Sequence, residues 1–183
     1  MRNIVLVGFM GTGKSVVGRR LANALGCDFM DMDRVIEQRQ GKSVPQIFSE
    51  QGEAAFRKME SEVVGELSRR TGCVIATGGG AVLNPDNLTQ LRQGGVLVAL
   101  QARPEVVLKR VGKRAGDRPL LRGENPLSKI KSLLMERADA YRDVDVTIDT
   151  SDLSTEEVVH RIKQQVEAFE GYKDSGLSRS PSI

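Results

Sequence analysis

Aromatic residues make up only 4% of this chain, it holds two cysteines and one histidine, and none of its apolar runs approaches the length of a bilayer crossing. Each scarcity removes a class of function. The first residues already read as a core strand, so neither a membrane span nor a cleavable signal is expected, and the cytoplasm is the expected compartment. Cys27 and Cys73 share no CxxC spacing and have no histidine near them in the sequence. Both read as small buried residues rather than redox or metal groups. His160 falls off the apolar stripe of its helix, so it is expected to face solvent and not to serve as a catalytic imidazole. Few aromatics also count against nucleic acid. Residues 103 to 142 carry eleven Lys and Arg against five Asp and Glu, a local excess of +6 in a chain of net charge +3, yet Tyr141 is the one aromatic there. Stacking on bases is poorly supported, and a small, highly charged phosphate ligand suits the segment better.

What is present is an α/β pattern. A chain of 183 residues with 39% hydrophobic content fits one domain, placed here at residues 1 to 170. Strand candidates at 3 to 7, 28 to 31, 73 to 76, 96 to 100 and 145 to 149 alternate with helical patterns, which predicts a parallel sheet covered on both faces. Ser43 with Gln46 and Ser154 with Glu157 are capping boxes, and Asn84-Pro85 is a cap followed by a first-turn proline. A helix over 53 to 70 buries Phe56, Met59, Val63 and Leu67. That leaves Arg57 off the buried stripe, where its truncation is expected to cost little stability. Between Val111 and Pro126 the apolar period breaks in a basic, glycine-flanked stretch, read as a lid over about 112 to 125. Residues 171 to 183 lose periodicity and read as a disordered tail.

The strongest local signal is Gly8-Phe9-Met10-Gly11-Thr12-Gly13-Lys14-Ser15, set between the apolar run Ile4-Val5-Leu6-Val7 and a helical pattern through Val17 and Leu21. This is a strand, a phosphate-binding loop and a helix. Backbone N–H groups from Gly11 through Val16 cradle the phosphates of a nucleotide, Lys14 brings a cation to the β- and γ-phosphates, and Ser15 offers a hydroxyl to Mg²⁺. No Asn-Lys-x-Asp guanine-reading sequence occurs, which favours a small-molecule kinase over a GTPase. Asp31 and Asp33, two apart after the second strand, are expected to point the same way into the cleft. One would support Mg²⁺ while the other accepts a hydrogen bond from an attacking hydroxyl. Taken alone, Asp33 reads more readily as the cap of a helix beginning near Arg34. Thr77-Gly78-Gly79-Gly80 after the third strand leaves the backbone open to a ligand, and in isolation reads equally as a tight turn without function.

Together these motifs, with Gly52-Glu53 through Phe56-Arg57, Arg118-Pro119-Leu120-Leu121 and Glu136-Arg137, closely resemble the shikimate kinase family in order and approximate spacing, across residues 2 to about 168. The resemblance implies the nucleoside monophosphate kinase fold, three layers around a five-stranded parallel sheet of order 2-3-1-4-5 with a helical lid. It implies phosphorylation of the shikimate 3-hydroxyl by ATP with Mg²⁺, a step in aromatic amino acid (chorismate) biosynthesis, in a chain expected to be a monomer. Residue by residue it implies that Lys14 and Ser15 serve the phosphates and metal and that Asp31 supports the metal. Asp33 would bind the substrate hydroxyls and act as candidate base. Arg57 and Arg137 would clamp the carboxylate, Gly78, Gly79 and Gly80 would give backbone contacts, and Arg118 would reach the transferring phosphate. One departure stands out: the family usually carries proline and a further apolar residue soon after the arginine matching Arg137, where this chain has Ala138-Asp139-Ala140-Tyr141. Adenine would neighbour Arg110 or Arg114, and spacing does not choose. A kinase of another polyol acid such as gluconate, or a nucleotide-responsive binding protein without turnover, are the competing readings.

Overall fold

All five predicted strands form. β1 (Asn3–Val7), β2 (Asp28–Asp31), β3 (Cys73–Ala76), β4 (Gly95–Gln101) and β5 (Val146–Asp149) pair in parallel in the order β2-β3-β1-β4-β5. The structure is a computed structural model that describes residues 1–112 and 125–174. Parallel neighbours cannot be joined by a hairpin, so each link crosses over through helix. These links are α1 (Lys14–Leu25), α2 (Met32–Gln40) with α3 (Val44–Leu67), α4 (Pro85–Gly94), and α5 (Pro104–Val111) with α6 (Pro126–Glu136) and α7 (Ala138–Arg142). A final helix, α8 (Thr155–Asp174), follows β5.

Strand alternation sorts the core into two layers. Ile4 and Leu6 of β1 join Val17 and Leu21 of α1 and Val158 and Ile162 of α8, whereas Val5 and Val7 join Val63 and Leu67 of α3 and Leu91 of α4. Every residue of β1 is therefore buried, as a strand covered on both faces requires.

Several helix boundaries differ from the sequence reading. The Ser43–Gln46 capping box forms, with Ser43 Oγ accepting from Gln46 N–H and Gln46 Oε1 accepting from Ser43 N–H. The helix it starts continues as α3 to Leu67, three residues short of the expected end, with a kink at Gly52 (φ 81°, ψ 172°), a conformation glycine adopts without a Cβ penalty. Ser154 and Glu157 cap α8 reciprocally, and α8 runs to Asp174, so Gly171 to Asp174 are helical where a tail was expected. Residues 175–183 lie outside the described residues. Cys27 is only partly buried, against expectation, while Cys73 is buried. Burial raises both thiols above their ordinary pKa, which leaves little reactive thiolate. His160 is exposed, as predicted. Among the described residues no helix is long and apolar enough to cross a membrane.

Candidate active site

The loop between β1 and α1 is drawn tight by its own side chains. Thr12 Oγ1 donates to the Phe9 carbonyl at 2.8 Å, and Lys14 Nζ donates to the Gly8 and Phe9 carbonyls at 2.7 and 2.9 Å. Helices α2, α3, α4 and α6 each cap their first N–H groups with a side chain, from Asp31, Ser43, Asn84 and Asn125. Helix α1 does not: its N-cap is Gly13 (φ 101°), and its first turn holds no acidic residue. Its N-terminal dipole and N–H groups suit an anion. Ser15 and Val16 are exposed in that first turn.

Asp31 and Asp33 do not share an extended segment. β2 ends at Asp31, which becomes the N-cap of α2 and accepts from Arg34 N–H at 3.5 Å, while Asp33 sits in the first turn of that helix. The cap is thus Asp31 and not Asp33. Asp33 faces a pocket whose other polar groups are Arg57, Glu60, Arg137 and the backbone of Gly78, Gly79 and Gly80, with Met10, Val44, Phe48 and Phe56 as the apolar wall. The Phe48 and Phe56 rings meet at 4.7 Å between centroids. The pocket abuts the phosphate loop, because a Cβ on Gly79 would lie 3.5 Å from Met10 N and 3.9 Å from the Gly8 carbonyl oxygen. A Cβ on Gly80 would strike Arg57 Nη1 at 2.5 Å, and one on Gly78 would strike Glu60 Oε1. The three glycines let two charged side chains come against the turn.

Arg57 is braced on both sides. Its Nη1 donates to Glu60 Oε2 at 2.8 Å, its Nη2 and Nε donate to Glu53 Oε1 at 3.0 and 3.3 Å, and its guanidinium lies 5.6 Å from the Phe56 ring centre. Three of its five N–H groups are engaged by these bonds. Burial would weaken its hold on the proton, but Glu60 and Glu53 more than reverse this and raise its pKa. Glu60 is 1% exposed, and its Oε1 has no partner among the described residues. Burial raises its pKa, Arg57 opposes the rise, and the Asp33 charge adds to it.

Arg137 lies between α6 and α7, 7% exposed, with Nη1 donating to the Gly79 carbonyl at 3.2 Å and its guanidinium 5.6 Å from the Phe9 ring centre. The departure after Arg137 thus leaves the arginine in the pocket. On the opposite side of the loop a second pocket gathers Gly11, Thr12, Gly13, Val16, Arg110 and Thr150. Arg110 donates to Thr150 Oγ1 and to the Thr150 carbonyl at 2.8 and 2.6 Å. Arg114 and Arg118 lie outside the described residues, as does the expected lid apart from Gly112 and Asn125. A hollow of about 640 Å³ between β5 and α8 holds none of the expected site residues.

Sequence reasoning missed Glu60, for a traceable reason. The predicted stripe through Met59 assumed apolar burial, whereas Met59 is half-buried and the charged neighbour Glu60 takes the inner position beside Val63 and Val64. The only available signal was the i, i+3 spacing from Arg57.

Comparison with known proteins follows the same lines. A family model described as shikimate kinase matches residues 10–167. A shikimate kinase of Caldanaerobacter subterraneus subsp. tengcongensis is 51% identical over 162 residues, 88% of this chain and 94% of that relative. A solved structure of shikimate kinase from Acinetobacter baumannii in complex with shikimate superposes with a TM-score of 0.88 at 41% identity, covering 92% of this chain and 94% of the other. A gluconokinase from Sinorhizobium meliloti superposes at 0.63 with 20% identity, covering 96% and 98%, a likeness of fold alone.

Proposed function

The chain belongs to the shikimate kinase family, and from that premise we propose that it transfers the γ-phosphoryl group of ATP to the 3-hydroxyl of shikimate. One observation carries the reading: a pocket beside the phosphate loop sets one carboxylate, Asp33, among two arginines and a bare glycine turn. A cyclic acid with several hydroxyls asks for such a set, guanidinium forks for the carboxylate and a carboxylate for the hydroxyls. Arg57 and Arg137 hold the substrate carboxylate, Gly78, Gly79 and Gly80 contact it through the backbone, and Asp33 accepts a hydrogen bond from the attacking hydroxyl.

Phosphoryl transfer passes through a loose transition state, so the protein contributes positioning and charge more than covalent chemistry. The phosphates lie on the N–H groups of Gly11 to Val16, and Lys14 leaves its loop carbonyls to meet the charge that builds on the transferring group. The family resemblance assigns Arg118 to the same charge. Adenine lies by Arg110, which already lines the pocket flanking the loop. Mg²⁺ fits the donors present. Ser15 and Asp31 carry hard oxygen atoms that would help to hold it, and among the described residues no group of three or more His, Cys, Asp or Glu could cage a metal. That matches an ion held mainly by phosphate oxygens and water. When bound, Mg²⁺ neutralises phosphate charge.

The test is ADP release against a panel of hydroxylated acids. Shikimate should drive release, gluconate should not, and shikimate methyl ester should be used poorly. Equal use of acid and ester would contradict carboxylate recognition, and preference for gluconate would overturn the substrate.

A further inference from the structure

Tyr141 is buried, 5% exposed, and its hydroxyl donates to the Gly79 carbonyl at 2.5 Å across 62 positions of sequence. The same carbonyl accepts from Arg137 Nη1 at 3.2 Å, so the hydroxyl and the guanidinium meet on one acceptor. Tyr141 N–H donates to the Arg137 carbonyl at 3.2 Å, so the two residues stand one helical turn apart on one face of α7. One carbonyl of the turn assigned to backbone contacts thus receives both this hydroxyl and the arginine assigned to the substrate carboxylate.

The planarity of the peptide unit gives this contact a consequence. The Gly79 carbonyl and the Gly80 N–H belong to one rigid trans plane and point in opposite directions. Holding the carbonyl aims the N–H, and in a run of three glycines, where no side chain restricts the backbone, the Tyr141 hydroxyl and Arg137 hold that plane from outside the turn. Burial raises the pKa of Tyr141, which keeps the hydroxyl protonated and donating at neutral pH.

We propose that Tyr141 is a positioning residue for the acceptor substrate: by holding the Gly79 carbonyl on which Arg137 also docks, it sets the Gly80 N–H and the carboxylate clamp in register before shikimate arrives. The proposal rests on the shikimate kinase reading. A buried tyrosine that merely satisfied its hydroxyl would act on stability alone.

Tyr141→Phe keeps the ring and removes the bond. Calorimetric titration of the full chain should show shikimate binding weakened about 2- to 13-fold, as expected for one hydrogen bond lost without orphaning its acceptor, with ATP binding unchanged. In turnover, KM for shikimate should rise while kcat falls less than about threefold. An unchanged shikimate affinity with a lower melting temperature overturns the proposal. If the unaltered chain binds no shikimate, the family reading fails and takes the inference with it, whereas normal binding by both proteins overturns the inference alone. If Tyr141→Phe melts below assay temperature, 3-fluorotyrosine at position 141 in a Tyr172→Phe chain tests the same bond. A shikimate affinity shifted by about twofold or more at constant ATP affinity supports the proposal, and no shift overturns it.

Discussion

Arg57 looks from the sequence like a side chain that can be cut away cheaply, since it lies off the apolar stripe of α3. Its pairing with Glu60 reverses that expectation. Truncation to alanine leaves a carboxyl that is 1% exposed without its partner. Arg57→Ala should cost about 1 to 3 kcal/mol of stability, the cost of a buried polar group left unpaired and below that of breaking a fully buried ion pair, because the guanidinium is itself partly exposed. It should also weaken shikimate binding about 10- to 150-fold. Adding Glu60→Gln should return most of the stability and none of the affinity. A double variant as unstable as the single one would show that Glu60 is not the source of the loss, with thermal melts and titration as the two readouts. The pH dependence gives a second check. Glu60 has a raised folded-state pKa, so its contribution is fully present below its unfolded pKa near 4.5 and is lost as pH rises through the folded value. The melting temperature of Glu60→Gln relative to the unaltered chain should therefore climb as pH increases above that point. A relative fall would mean that attraction to Arg57 outweighs burial.

The elements that hold phosphate and substrate are short, and their sequences show it unequally. The phosphate loop was legible residue by residue because glycine, lysine and serine at fixed spacing between a strand and a helix have few other uses. Lys14→Ala should lower kcat at least about 100-fold with the melting temperature little changed, since its hydrogen bonds to the Gly8 and Phe9 carbonyls tie the loop to itself and its truncation removes no core side chain. A folded variant with near-normal turnover would contradict the assignment. The glycine turn was legible as open backbone but not as a seat for charge, because that depends on Arg57, Glu60 and Tyr141 arriving from other elements. Gly80→Ala should push the Arg57 guanidinium aside and reduce shikimate affinity at least about tenfold while sparing ATP affinity, measured by titration. The error over Asp31 and Asp33 is local. The strand end at residue 31 was legible, but the spacing of two carried extended geometry on to Asp33, whereas α2 begins at Met32 with Asp31 as its cap.

At the scale of the whole molecule, the parallel order β2-β3-β1-β4-β5 brings the ends of β1, β2 and β3 to one edge, so the phosphate loop, Asp33 and the glycine turn converge although more than sixty residues separate the first from the last. Strand existence followed from apolar runs, and all five were visible. Strand order was not, since no local pattern encodes which strand lies beside β1, and it entered through the family resemblance. The account at this scale joins the two pockets across the loop into one transfer from ATP to a bound acid. Its most direct measurement is the identity of the product after incubation with ATP, Mg²⁺ and shikimate, read by phosphorus NMR. The account predicts one new phosphate ester, coupled to the proton on C3 of shikimate and formed in step with ADP. Inorganic phosphate as the sole new phosphorus species besides ADP, or an ester on another hydroxyl, would contradict it.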